Sequence, residues 1–147
     1  MITISLNEVG WKFVQAIASR DFPAIAACFA DDVQFRALVP RGLREARGPA
    51  DATRYFQTWF GSAERIEALD LRCELIGDRQ HLAWRVRVDE PARATVLEQH
   101  AFATWGRGRI TQIDLVCSGF RPFEAVEHVE ADAVLDGADC DFQNYMS

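Results

Sequence analysis

The stretch VLEQHAFAT, residues 96–104, sets a carboxylate and an imidazole two positions apart, at Glu98 and His100. On a strand, residues two apart project to the same side, about 6–7 Å apart at the backbone. A carboxylate so placed can orient and charge-stabilise an imidazole, and imidazole titrates near working pH, so the pair is a general acid–base candidate. Two registers are open. One puts Val96, Glu98, His100 and Phe102 inside; the other puts Gln99, Ala101, Ala103 and Trp105 inside and leaves the pair on the solvent face. Tyr55 offers a phenol to a ligand carbonyl, although an aromatic at helical spacing also suits a core. Asp114 alternates with Leu115 in a way that turns it outward beside Gln112. His81 starts a strand beside a turn and His128 lies in the tail, positions that predict solvated side chains.

The elements that must position these residues follow from hydrophobic period. Ser5 and Glu8 fit a capping box, and Val9, Phe13, Ala16 and Ile17 recur at helical spacing over residues 6–19. Asp21 caps a second helix with Pro23 in its first turn and an apolar stripe of Phe22, Ile25, Ala26 and Phe29. A strand begins at Val33, with Phe35 and Ala37 on its inner face, and ends at the VPRG turn. The PRGLREARGP stretch reads as a solvated basic loop. A third helix starts near Pro49, carries Tyr55, Phe56, Trp59 and Phe60, and stops at Gly61.

From there the period is two. Leu69, Leu71, Cys73 and Leu75, then Leu82, Trp84, Val86 and Val88, mark a hairpin about a GDRQ turn; a strand over roughly 95–105 and a last one with Ile113, Leu115 and Cys117 inside complete the set. Helices followed by antiparallel strands predict an α+β fold with the helices on one face of a curved sheet.

Composition sets the outer bounds. A chain of 147 residues, 49% hydrophobic and 26% charged, is one globular domain's worth. MITISLNEVGW lacks the basic start and apolar run of a secretory signal, no window reaches the length of a spanning helix, and the expected location is the cytoplasm. Cys28, Cys73, Cys117 and Cys140 stand far apart with no ligand-spaced histidine, which predicts reduced thiols and no metal site. Residues 122–147 hold seven acids and no Lys or Arg; subtracting −7 from the net −6 leaves +1 on the rest, so no basic stripe for nucleic acid is expected. The domain proper is expected over residues 1–122. The acidic tail, 123–147, allows a short amphipathic helix before it breaks at Asp136 and Gly137; it either solvates the chain end or folds over the Arg41–Arg47 stretch as a lid.

The helix hairpin ending in FADDVQF, the RGPADATRYF start of the third helix and the FATWGRGRITQI join between the last strands carry a resemblance to the nuclear-transport-factor-2-like superfamily, which includes SnoaL-like polyketide cyclases, ketosteroid isomerase and limonene epoxide hydrolase. It spans residues 6–122. The resemblance implies a cone-shaped α+β barrel, a strongly curved mixed or antiparallel sheet wrapped round N-terminal helices to enclose a pocket. Its mouth lies between the third helix and the strands. The resemblance also implies a homodimer through the outer sheet face and no cofactor. Phe13, Val33, Phe35, Ala37, Phe56, Trp59, Trp84, Phe102 and Leu115 would line the pocket, with Trp11 beside them, which favours a flat apolar ligand.

The isomerase residues are missing: the base position aligns with Ala37, the oxyanion tyrosine with Phe13 and the protonated aspartate with His100. The latter alignment would turn His100 inward, and SnoaL-like cyclases use an inward aspartate on a late strand, here Asp114. Two functions are therefore expected as alternatives. One is a cofactor-free cyclase, isomerase or hydratase acting on an apolar ketone, with His100 moving the proton, Glu98 holding its tautomer and Tyr55 polarising the carbonyl. The other is a non-catalytic dimeric domain that binds a small apolar ligand or a partner protein.

Overall fold

The computed structural model describes residues 6–124. Ser5 of the expected capping box, and the tail beyond Glu124 with His128, Cys140 and the lid, lie outside the described residues.

Helix α1 (Leu6–Ala18) turns its apolar stripe inward, burying Val9, Phe13, Val14 and Ile17. It crosses strands β3 (Arg65–Ile76) and β4 (Arg79–Glu90). Gly10 permits that approach, since a Cβ there would run into the Gln80 side chain and Cys73 Sγ. Helix α2 (Phe22–Ala27) starts as its sequence predicts: the Asp21 carboxylate accepts from Ala24 N at 3.1 Å, and proline fills the first turn. It stops earlier than the apolar stripe suggests. Cys28 caps it, and Phe29 already opens β1 (Phe29–Val39), with Asp31 and Asp32 exposed within that strand.

PRGLREARGP is a strand, not a loop. β2 (Gly42–Arg47) returns along β1 from the turn at Pro40 and Arg41. Its period of two was hidden because an edge strand needs few apolar residues. Ala37 pairs with Arg44 and Arg36 with Glu45, so Arg44 and Ala46 share the inner face with buried Ala37, while Leu43 and Glu45 look out. Helix α3 (Pro49–Phe60) follows and packs on β1 and β2.

β5 (Arg93–Gly106) and β6 (Arg109–Cys117) complete a sheet ordered β2-β1-β6-β5-β4-β3, with a short β7 (Arg121–Pro122) pairing β5 beyond the end of β6. Only β1 and β6 among these neighbours run parallel, because the chain leaves β1, passes through α3 and three long strands, and comes back beside it. The fold is α+β, with the helices on one face of a mixed sheet that stays open between its β2 and β3 edges.

The interior is filled with rings. Phe13 meets Phe29, Phe56 and Trp84 edge-on at 5.6, 6.0 and 5.9 Å, and Phe35 meets Phe56 at 5.8 Å. None of these five is more than 1% exposed. Val33, Ala37 and Leu115 are closed into the same core. Residues expected to line a cavity instead occupy the space between helices and sheet, which is how apolar side chains reach crystal-like density.

Candidate functional site

Strand β5 takes the second register. Leu97, Gln99, Ala101 and Ala103 are buried toward the helices, with Gln99 opposite Trp84 and Ala101 between Leu82 and Leu115. Trp84 Nε1 donates to Gln99 Oε1 at 2.6 Å, giving the indole the partner that burial demands. Glu98, His100 and Phe102 therefore face away from the helices, and the inward placement suggested by alignment with the isomerase is corrected. Phe102 is 38% exposed on that outer face rather than in a pocket, and Trp11 is 39% exposed on α1.

The pair itself forms. His100 Nε2 and Glu98 Oε2 are 2.7 Å apart, with the side chains 39% and 45% exposed. His81 joins it from β4, with Nε2 2.9 Å from His100 Nδ1 and its ring stacked against Phe102 at 5.0 Å. Its expected solvated state gives way to a half-buried one because β4 pairs His81 with Phe102, two residues along β5 from His100 and on the same face. Burial first, then the neighbouring His100, pushes the His81 pKa below its ordinary value. Beside this chain lies a cleft of about 390 Å³ that Arg72, Asp70, Arg85 and Ala83 share with Glu98 and His100. No sequence signal announced His81; only the strand pairing brings it to His100.

Asp114 points outward, as its alternation implies, and accepts from Arg36 Nε at 2.9 Å and from Gln112 Nε2 at 3.3 Å. It sits as a cross-strand ion pair between β1 and β6.

Tyr55 is on the other side of the sheet from His100, so the two cannot serve one substrate in a single chain. Its ring stacks on Phe35 at 5.4 Å and its hydroxyl makes only a long contact, 3.4 Å, to Glu45 O. Tyr55 separates two clefts. One, about 330 Å³, is polar-rimmed by Glu45, Asp51 and Arg54. The other, about 240 Å³, opens at a mouth between α3, the β1–β2 turn and the end of β6. Trp59, Tyr55, Phe120, Val39 and Pro40 wall this mouth, Cys117 closes it, and Arg41, Arg44 and Thr58 supply its polar edge. Burial pushes the Cys117 thiol pKa up, so it stays a neutral apolar wall. Arg44 was missed as an inner-face residue for the same reason as the strand that carries it.

Among the described residues no cluster of His, Cys, Asp and Glu is arranged to hold a metal ion, and no helix is long and apolar enough to cross a membrane.

Residues 12–113 match the family described as SnoaL-like domain. No curated protein sequence matches the chain. Several solved structures share its fold. A candidate polyketide cyclase from Pseudomonas putida KT2440 is 18% identical, with a TM-score of 0.62 over 87% of this chain and 98% of that one. An epoxide hydrolase of the LEH-like kind from M. tuberculosis is 16% identical, with a TM-score of 0.59 over 76% and 80%. A protein with a ketosteroid isomerase-like fold from Catenulispora acidiphila, in complex with trimethylamine, is 12% identical, with a TM-score of 0.62 over 76% and 85%.

Proposed function

The chain belongs to the SnoaL-like domain family, and on that premise we propose that it binds a small, flat, largely apolar organic molecule at the mouth of its cone. The single supporting observation is the mouth itself: three aromatic side chains, Tyr55, Trp59 and Phe120, around about 240 Å³ of space, beside an interior that rings already fill. Neither a carboxylate nor an imidazole lines that cleft, and the isomerase-like positions Phe13 and Ala37 are buried in the core. The mouth therefore lacks a group to take up or give a proton near neutral pH, and a binding domain fits it better than an acid–base catalyst.

Titration of the protein with a panel of one- and two-ring aromatic compounds, followed by NMR at the tryptophan indole N–H signals, tests this. The Trp59 signal, assigned with Trp59→Phe, should move with ligand while that of buried Trp84 stays. Silence at Trp59 across the panel would overturn the proposal, and conversion of a ligand that Tyr55→Phe abolishes would replace binding by catalysis.

A second copy of the chain is the partner proposed for the outer sheet face. Leu38, Leu43, Val116 and Phe102 are exposed there, and Leu43, Leu38, Val116 and His100 follow one another strand by strand in a single row. The free thiols of Cys28, Cys73 and Cys117 suit the cytoplasm, the location proposed here.

One observation favours the enzyme as a second reading. The His81–His100–Glu98 chain borders a cleft, and acid–base chemistry there would use His100 with Glu98 and without Tyr55. His100→Ala would then abolish turnover of a substrate while leaving its affinity nearly unchanged; equal loss of both would count against it.

A further inference from the structure

We infer that the molecule taken at the mouth is an organic anion, a small apolar ring system bearing one carboxylate that Arg44 grips with Arg41 at the rim. This step rests on the mouth being the ligand site, and it specifies the ligand by charge.

Arg44 is an inner-face residue. It stands opposite Ala37, whose side chain is fully buried, on the edge strand that forms one side of the cone mouth. Arg44 is half-buried as a residue, and the one hydrogen bond of its guanidinium within the described residues is a long, exposed 3.4 Å donation to Leu43 O, the carbonyl of its own neighbour. No carboxylate among the described residues lies within ion-pair distance of Arg44 or Arg41. Several other guanidiniums are paired, Arg36 with Asp114, Arg65 and Arg87 with Asp89, Arg72 with Asp70, whereas Arg47, Arg79 and Arg107, which like Arg44 have no ion pair among the described residues, are exposed. Even Glu45, the next residue along β2, is turned to the opposite face by the strand's alternation.

A guanidinium that edges aromatic walls and has no carboxylate beside it among the described residues is available to an incoming anion. A carboxylate suits it. The planar fork of arginine matches the two oxygens of a carboxylate in paired N–H···O bonds, which are stronger and more directional than neutral ones. The adjoining walls set the rest of the ligand. Trp59, Tyr55 and Phe120 offer ring faces, the Cys117 thiol is kept neutral, and about 240 Å³ admits one or two rings. The Thr58 hydroxyl spends its proton on Arg54 O at 3.0 Å, so it presents an acceptor and not a second anion-binding donor. The Tyr55 hydroxyl is held only by its long contact to Glu45 O and is free to swing a donor toward the bound carboxylate.

Two isosteric probes test the charge directly. The full-length chain is titrated by NMR with 2-naphthoate and with 2-naphthamide, in wild type, Arg44→Gln and Arg41→Gln, with an amide-region spectrum of each variant to verify the fold. Naphthoate should bind about tenfold or more tightly than naphthamide, shift the Trp59 indole signal, and weaken as salt is raised. Arg44→Gln should bring the two probes to similar affinity. Arg41→Gln, at an exposed turn that tolerates substitution, should narrow the difference and guards against a folding defect in the first variant. If both probes shift Trp59 with equal affinity, the mouth stands as a ligand site and the anion inference is overturned. If neither probe touches Trp59, the mouth proposal fails and takes this inference with it.

Discussion

His81 and His100 lie edge to edge, with His81 Nε2 2.9 Å from His100 Nδ1 and ring planes only 12° apart. Their centroids are 5.2 Å apart, the separation of two coplanar rings joined through a hydrogen bond. Glu98 sets the direction of the chain. A carboxylate only accepts, so His100 Nε2 carries the proton it donates to Glu98, His100 Nδ1 is left as acceptor, and His81 Nε2 donates to it. His81 Nδ1 is then bare. Nitrogen-15 NMR at pH 8 should find both rings in the Nε2–H tautomer; an Nδ1–H signal from His100 would contradict this geometry.

The same contact makes stability depend on pH. The His81 pKa is lowered by burial and by His100, with Arg72 adding to the effect and Glu74, across the sheet on β3, opposing it. A histidine with a depressed folded pKa is protonated more readily in the unfolded chain. Its contribution to stability is therefore full above the ordinary imidazole value, about 6.5, and is lost as pH falls from there toward the folded value. Urea midpoints measured from pH 8 to pH 5 should fall more steeply in wild type than in His81→Phe. Parallel curves would show that His81 titrates alike in both states.

The exposed row on the outer sheet face predicts the oligomer. Leu38 is 52% exposed between Leu43 and Val116, so a lysine there should not disturb the core. Sedimentation should give a dimer for wild type and a monomer for Leu38→Lys at unchanged circular dichroism. A monomeric wild type would remove the dimer proposal.

Filling of the cone can be reversed. Phe56 touches Phe13, Phe35, Trp59 and Trp84, and is fully buried. Phe56→Ala should cost about 3–5 kcal/mol in denaturant unfolding. The void left would be lined by rings and dry, so benzene should raise the thermal midpoint of the variant and leave wild type unaffected.

Arg20 is a structural arginine. It adopts a φ of 54° and its Nη1 donates to Phe60 O at 3.1 Å and Ala63 O at 2.6 Å, tying the end of α3 to the α1–α2 corner. Arg20→Ala should lose about 1–3 kcal/mol with those charged hydrogen bonds. Arg20→Gly should lose less, because glycine adopts the left-handed backbone without strain. An alanine variant as stable as the glycine one would mean the corner relaxes instead.

Much of this arrangement is local and was legible in the chain. Asp21 and Pro23 mark a helix start because a cap acts within one turn. Leu82, Trp84, Val86 and Val88 read as an inner face because their neighbours on β4 are mostly polar, and Asp114 reads as outward for the same reason on β6. Strand β5 has no such contrast. Val96 and Leu97 are both buried, since the chain returns as β7 beside Val96, and Phe123 packs against Arg87, which pairs with Val96. Alternation then names two faces without saying which is inner. Only pairing with β4 and β6, whose inner residues are unambiguous, decides that Gln99 and Ala101 go in and Glu98 and His100 go out. The aromatic residues pose the same limit in three dimensions. Phe13, Phe35, Phe56 and Trp84 are the side chains either a lined cavity or a filled core would use, and which one they make depends on ring-to-ring packing between segments far apart in sequence. Residue types thus established the layers, and long-range strand pairing decided which face Arg44 takes and where any chemistry or ligand could sit.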